Sequence, residues 1–188
     1  VDDAHGFGVL GGGRGSAFEF DPVPDIPLQM GTLSKAAGTY GAFLCASAPV
    51  IELMKNRARS LVYTTGLPPA VIAAATAAVD IIAVDPARVE RPLALAKSFC
   101  AAVGLEAPES PIVPMIVGAE TAALDASASL EEAGFLVSAI RPPTVPAGTS
   151  RLRFTFTAEH SADQVVALAG AVNTLCLDQD PMRQVADG

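Results

Sequence analysis

The chain has 188 residues, with 12 basic and 20 acidic side chains for a net charge of −8; that length suits one domain or one and a half. A composition of 51% hydrophobic and 17% charged residues excludes wholesale disorder. The negative balance argues against non-specific binding to nucleic acid or to an anionic membrane surface. Mean hydropathy is +0.41, yet the longest apolar stretch, Ala70–Val84, is broken by Asp80 and falls short of the ~20 residues that span a bilayer. No transmembrane helix is expected. Val1-Asp2-Asp3-Ala4-His5-Gly6 has no initiator Met, basic region or apolar run, so it is no signal peptide; it reads as the end of a buried strand. Cys45, Cys100 and Cys176 are widely spaced, odd in number and without a CxxC pair. That usage suits a reducing, cytoplasmic compartment and argues against a disulfide framework or a cysteine-rich zinc site.

In chain order, residues 6–15 hold six glycines in ten positions, a loop that bends sharply or lets backbone approach a ligand. Residues 21–27 carry three prolines and make a second connection. Short strands are predicted at 28–32 and 42–46, separated by Gly38 and Gly41. Pro49 opens a helix to about Arg59, and Ser60–Thr65 reads as another strand. Pro68-Pro69 start an Ala-rich helix to about Val84. Asp85-Pro86 stops it and opens a second helix to about Val103. After Gly104 the pattern becomes α/β alternation: strand Ile112–Val117, helix Ala119–Ala133, strand Phe135–Ile140 and a Pro-rich loop Arg141–Gly148. Arg151–Thr157 alternates with period two, as a strand buried on one face should. Ser161 caps a closing helix, and the last ten residues are polar and expected to fray. A boundary falls near residues 85–90, with an incomplete α/β half before it and a small α/β domain after it.

Lysine is scarce: Lys35, Lys55 and Lys97. Lys35 lies in Gly31-Thr32-Leu33-Ser34-Lys35-Ala36, just after a strand. Flanked by hydroxyls, it is either an amine buried enough to act as a nucleophile or a solvated loop lysine. Asp2, Asp3 and His5 sit at a strand's carboxyl end, where open α/β sheets bind ligands. They suit a metal pair, a base with its orienting carboxylate, or an anchor for a cofactor's ring nitrogen; the plain alternative is a turn carboxylate beside a core histidine. With His160 the only other histidine, a His-rich metal site is not expected. Arg151 and Arg153 share a strand face, where one could grip a carboxylate bidentately or both could simply be solvated. Gly11-Gly12-Gly13-Arg14-Gly15 lacks the Lys-Ser/Thr of a phosphate loop, and Ser16 has no nucleophile elbow around it.

Together the segments carry more than any one of them. Asp2-Asp3-Ala4-His5-Gly6, Gly8, Gly13-Arg14-Gly15 and Thr32-x-x-Lys35-Ala36 resemble the pyridoxal-phosphate-dependent α-oxoamine synthases. Tyr63-Thr64-Thr65-Gly66-Leu67-Pro68-Pro69 looks like that family's subunit-interface segment. Arg141-Pro142-Pro143-Thr144-Val145-Pro146-Ala147-Gly148-Thr149-Ser150-Arg151-Leu152-Arg153 is similar to the branch that makes 8-amino-7-oxononanoate; relatives making 5-aminolevulinate or 2-amino-3-ketobutyrate usually differ there. The likeness covers essentially the whole chain. Gly41-Ala42, where many relatives have two glycines, is a small departure.

The resemblance implies an α/β fold of the pyridoxal-phosphate aminotransferase type (fold type I). Residues 1–88 would end the large, mixed-sheet cofactor-binding domain, and residues 89–188 would form the small carboxyl-terminal domain. It implies pyridoxal 5'-phosphate as cofactor, with Lys35 joined to its aldehyde, Asp2 paired with the protonated ring nitrogen and His5 bonded to the phenolic oxygen. Thr32 and Thr65, the latter from a second subunit of a homodimer, would hold the phosphate. Arg153 would take the amino-acid carboxylate and Thr144 would contact substrate. Arg153 is preferred over Arg151 because other branches tolerate loss of the first arginine. The implied reaction is decarboxylative condensation of L-alanine with a pimeloyl thioester of CoA or acyl-carrier protein, giving 8-amino-7-oxononanoate in biotin synthesis. Two alternatives stand beside it: an α-oxoamine synthase using glycine or serine, and a catalytically silent half-protein acting as dimerisation partner. The family's chains are about twice this length, so the resemblance also implies an amino-terminal half that supplies a ring-stacking aromatic and part of the acyl-donor site.

Overall fold

Proline and glycine set most of the element boundaries. The computed structural model describes residues 1–178, and the chain falls into two units, Val1–Glu90 and Arg91–Gly188. In the first, Val1–Asp3 lies parallel to β1 (Leu28–Thr32): the Met30 N–H donates to the Val1 carbonyl at 3.0 Å, and the Asp3 N–H to the Met30 carbonyl at 2.8 Å. β1 pairs antiparallel with β2 (Ala42–Ala46), Leu28 opposite Ala46 and Thr32 opposite Ala42. Both strands fall where the sequence predicts them. The Gly-rich loop between Asp3 and β1 contains two short 3-10 turns, Gly11–Gly13 and Ser16–Glu19. At Gly15 (φ +113°) a Cβ would overlap the Asp3 carboxylate, and that backbone angle strains any L side chain.

Helix α1 (Ala48–Arg57) breaks at Ala58 and resumes as the single turn α2 (Arg59–Val62). The strand expected at Ser60–Thr65 is therefore a helical turn followed by irregular chain. Val62, Tyr63, Thr64 and Thr65 carry β-propensity, but the Tyr63 N–H is satisfied locally by the Arg59 carbonyl at 3.1 Å. Among the described residues no strand pairs with it, and β-propensity is expressed only where neighbours receive the side chains. Helix α3 (Pro69–Val84) starts on its proline and stops before Asp85, whose carboxylate accepts the Arg88 N–H at 3.0 Å in the first turn of α4 (Pro86–Val103). Apart from Thr76 and Asp80, α3 is apolar, yet it buries only Ala75 and leaves Ile72, Val79, Ile81 and Val84 exposed. No single described helix is long and apolar enough to cross a membrane.

The second unit is built on an antiparallel sheet of order β3-β5-β4 (Ile112–Gly118, Ser150–Thr155, Ser138–Ile140). Along β5, Ser150, Leu152 and Phe154 are buried while Arg153 and Thr155 are exposed, the expected alternation. The strand expected over Phe135–Ile140 shortens to Ser138–Ile140 because the end of α5 (Glu120–Glu132) uses the preceding residues. Gly134 (φ +91°) donates to the Glu131 carbonyl at 2.9 Å and Phe135 to the Leu130 carbonyl at 2.8 Å, a Schellman closure. Ser161 caps α6 (Ala162–Asp178) reciprocally: its Oγ accepts the Gln164 N–H at 3.1 Å, and its own N–H reaches Gln164 Oε1 at 2.9 Å. The frayed tail expected for the last ten residues lies outside the described residues.

One apolar cluster joins Ala96, Phe99 and Cys100 of α4, Ala126 and Leu130 of α5, Val165, Ala169 and Val172 of α6, and Val113, Leu152 and Phe154 of the sheet. The helical members recur at the three- and four-residue steps of one helix face. Burial pushes the Cys100 thiol up, so it stays neutral there. Phe99 is fully buried, its ring 4.7 Å from Phe154 and 5.3 Å from Phe156. Phe99→Ala should lower the unfolding free energy by ~3–5 kcal/mol, seen as an earlier urea midpoint. A loss under ~1 kcal/mol, the scale of a surface change, would mean that this cluster does not hold the unit.

Candidate active site

Consecutive residues of an extended segment point opposite ways, and this separates the two neighbouring acids. Asp3 turns inward and is 3% exposed. Its carboxylate accepts the Ser16 N–H at 2.9 Å and Gln29 Nε2 at 3.2 Å, while its carbonyl accepts Gly6 and Phe7 N–H at 3.1 and 3.0 Å. Asp3 therefore ties both ends of the Gly-rich loop to β1 and is structural. Asp2 turns outward and is exposed, its Oδ1 accepting the Ala4 N–H at 3.0 Å.

The turn formed by Asp2–Ala4 meets β1 at Thr32. Thr32 Oγ1 donates to the Ala4 carbonyl at 3.4 Å and accepts from Lys35 Nζ at 3.4 Å. Lys35 sits where the chain leaves β1 for the turn closed by Leu33 N–H on the Gly41 carbonyl (2.9 Å) and Thr39 N–H on the Leu33 carbonyl (2.8 Å). Asp2, Thr32 and Lys35 are thus one hydrogen-bonded run, with His5, also exposed, one residue beyond Ala4. The burial considered for Lys35 is not found: it is exposed, with no carboxylate partner among the described residues. Lys55 instead pairs with Glu52 at 2.8 Å on α1, and Lys97 is exposed on α4. Thr65 stands apart from the run, exposed in the irregular chain before α3, its carbonyl accepting from Thr64 Oγ1 at 3.4 Å.

Several other candidates have structural duties. Arg14 lies over the Phe18 ring, its guanidinium carbon 4.3 Å from the centroid, while the Glu19 carboxylate accepts the Gly11 N–H. Ser16 contributes its N–H to Asp3, not a nucleophile. His160 Nδ1 accepts the Thr157 N–H at 3.2 Å and its carbonyl accepts Arg91 Nη2 at 3.0 Å, so it closes the turn after β5. No three His, Cys, Asp or Glu side chains among the described residues group as a metal site.

In the second unit, Arg153 is exposed on the open face of β5, opposite Pro114 and Ser138. Its guanidinium pairs with no acid among the described residues. Arg151, on the same face, is half-buried and its donors are engaged by Thr149. Thr144 is exposed in the loop before β5, its N–H on the Arg141 carbonyl at 3.1 Å. Sequence reasoning missed Gln29 and Thr149. Nothing local marks either: alternation in Leu28–Thr32 places the apolar Leu28 and Met30 on the face opposite Gln29, and only the contact with Asp3 reveals it.

The family model described as aminotransferase class I and II matches residues 1–172. Over 174 residues the chain is 62% identical to the 8-amino-7-oxononanoate synthase of Methylocella silvestris, covering 93% of this chain and 49% of that protein. Among solved structures, an SPT holding its PLP internal aldimine superposes with a TM-score of 0.84 at 29% identity, over 93% of this chain and 47% of that one. The 8-amino-7-oxononanoate synthase of Francisella tularensis gives 0.74 at 28% identity, over 93% and 54%. The chain spans about half the length of the curated relatives it matches. Its α/β fold is that of the pyridoxal-phosphate-dependent enzymes of fold type I. With an exposed lysine amine held on Thr32 in one run with Asp2, and a family match that runs from Val1 into α6, the chain belongs to the aminotransferase class I and II family.

Proposed function

We propose that the chain is part of an 8-amino-7-oxononanoate synthase, which condenses L-alanine with a pimeloyl thioester and releases CO2 and the free thiol, in cytoplasmic biotin synthesis. The observation that carries this reading is the 62% identity with the Methylocella silvestris enzyme over 93% of the chain. Pyridoxal 5'-phosphate suits the donor set of the first unit: a primary amine with no carboxylate partner among the described residues, a carboxylate whose Oδ1 accepts the Ala4 N–H, an exposed imidazole and a threonine hydroxyl that accepts from the lysine. When bound, the cofactor supplies an electron sink for charge developing at the amino acid's Cα.

The residues then divide the work. Lys35 would hold the cofactor at its aldehyde, and its Nζ, when free, would take the alanine Cα proton. Asp2 would face the ring nitrogen and His5 the phenolic oxygen. Thr32, with Thr65 from a second subunit, would hold the phosphate. Arg153 grips the alanine carboxylate with its planar fork, and Thr144 contacts substrate. A C–C bond would form between the alanine Cα and the thioester carbonyl as the C–S bond breaks and the thiol leaves, the alanine carboxylate would depart as CO2, and a proton would return to Cα. The exposed apolar side chains of the first unit, Tyr63 at 80% and Val84 at 78%, support their coverage by further polypeptide, part of which a homodimer would supply.

The purified full-length protein that carries this chain, given L-alanine with pimeloyl-CoA or pimeloyl-acyl-carrier protein, should make 8-amino-7-oxononanoate. Glycine and L-serine are the competing substrates, and faster turnover of either would assign another α-oxoamine synthase. No product and no cofactor fixed by borohydride would instead assign a silent partner. Arg153→Lys keeps the charge but loses the fork, so alanine affinity should fall by ~1.5–3 kcal/mol with cofactor binding intact. A larger loss in Arg151→Lys would mean that the wrong arginine has been assigned.

A further inference from the structure

Arg151 and Arg153 share the open face of β5, but their surroundings differ. Arg151 stands between Ile140 of β4 and Ile116 of β3, so its stem lies along apolar side chains and its head is directed along the strand. Arg151 Nε donates to the Thr149 carbonyl at 3.0 Å and Nη2 to Thr149 Oγ1 at 3.1 Å. Thr149 in turn donates twice to the Pro146 carbonyl, from Oγ1 at 2.8 Å and from its N–H at 3.2 Å. Those bonds close the carboxyl-terminal side of the loop between β4 and β5. Thr144, whose N–H is held by the Arg141 carbonyl, stands two residues before Pro146, where that closure begins. No backbone ladder reaches residues 141–149, because pairing of β4 with β5 ends at Ile140 opposite Arg151.

We propose that Arg151 is a positioning residue: with Thr149 it clasps the loop at Pro146 and so fixes where Thr144 stands, while Arg153 alone recognises the carboxylate. The role assigned to Thr144 rests on the function proposed above; the clasp itself does not. A guanidinium suits the task because its fixed fork reaches a carbonyl and a hydroxyl of one residue at once. Lysine offers a point charge in place of that fork.

The test uses Arg151→Met, Thr149→Val, the double variant and Thr149→Ser, with two readouts. The first is amide hydrogen exchange across residues 141–150, which requires no activity. Arg151→Met and Thr149→Val should each speed it by about fivefold, the scale of one lost hydrogen bond. The double variant should be no faster than the quicker single, since both open one clasp, and Thr149→Ser should restore slow exchange. The second readout is steady-state kinetics, in which the same two variants should raise a substrate KM by a similar factor with kcat little changed. Exchange unchanged in Arg151→Met, or effects that multiply in the double variant, would overturn the clasp. So would an alanine KM raised by Arg151→Met and left alone by Thr149→Val, which would make Arg151 a direct ligand. Accelerated exchange in a protein that turns over no alanine would leave the clasp standing and remove the proposed function instead.

Discussion

Lys35→Ala should abolish product formation and leave no lysine that borohydride can join to the cofactor. Three lysines are present in the chain. Lys55 is committed to Glu52 on α1, away from Thr32 and Asp2, and Lys97 projects from α4 in the second unit. Loss of the proton-transferring amine alone should cost roughly 10²–10⁴-fold in rate, and loss of the covalent attachment adds to it. The check is borohydride reduction of the unsubstituted protein with cofactor, followed by peptide mapping, and the same treatment of the variant. A label on Lys55 or Lys97, or turnover within tenfold of the unsubstituted protein, would remove Lys35 from its role. The exposure of Lys35 is compatible with that role: an amine that must be displaced by an incoming amino acid has to be reached from outside.

Asp2→Asn should leave the fold intact and slow alanine Cα–H exchange by orders of magnitude, since a neutral pyridine withdraws electrons poorly. The fold should survive because Asp2 contributes one Oδ1 contact to Ala4, which an asparagine oxygen reproduces. Asp3 is the contrast. It is buried against Ser16 and Gln29, so its loss should act on stability, through the Gly-rich loop, before it acts on chemistry. Deuterium uptake at the alanine Cα, measured with and without the thioester, separates proton removal from condensation. Near-normal exchange in Asp2→Asn would show that the ring nitrogen has another partner.

The two neighbouring acids also show how far a sequence can be read. Asp2-Asp3-x-His5 offers two carboxylates to any local argument, and only the parallel pairing of Val1–Asp3 with Met30 decides which one faces outward. The two arginines of β5 pose the same problem on one face. Period-two alternation put both on it, but the contacts of Arg151 depend on Thr149 and on the end of the β4 ladder, which alternation does not encode. The strand misread at Ser60–Thr65 fails for a related reason: β-branched and aromatic residues describe what a sheet would accept, not whether a sheet is there.

By itself the sequence determined the elements whose signals are local: the proline-started helices α3 and α4, the capping box at Ser161 and the alternating strand β5. Caps, fixed proline φ and side-chain periodicity act over a few residues, so they are legible without knowing what packs on them. Only the tertiary structure decided that Asp3 is an anchor, that Lys35 is exposed on Thr32 and that Arg151 holds a loop, because each depends on contacts between distant segments that have no local signature. Asp3 meets Gln29 and Ser16, Thr32 meets Ala4, and Arg151 lies between strands β3 and β4.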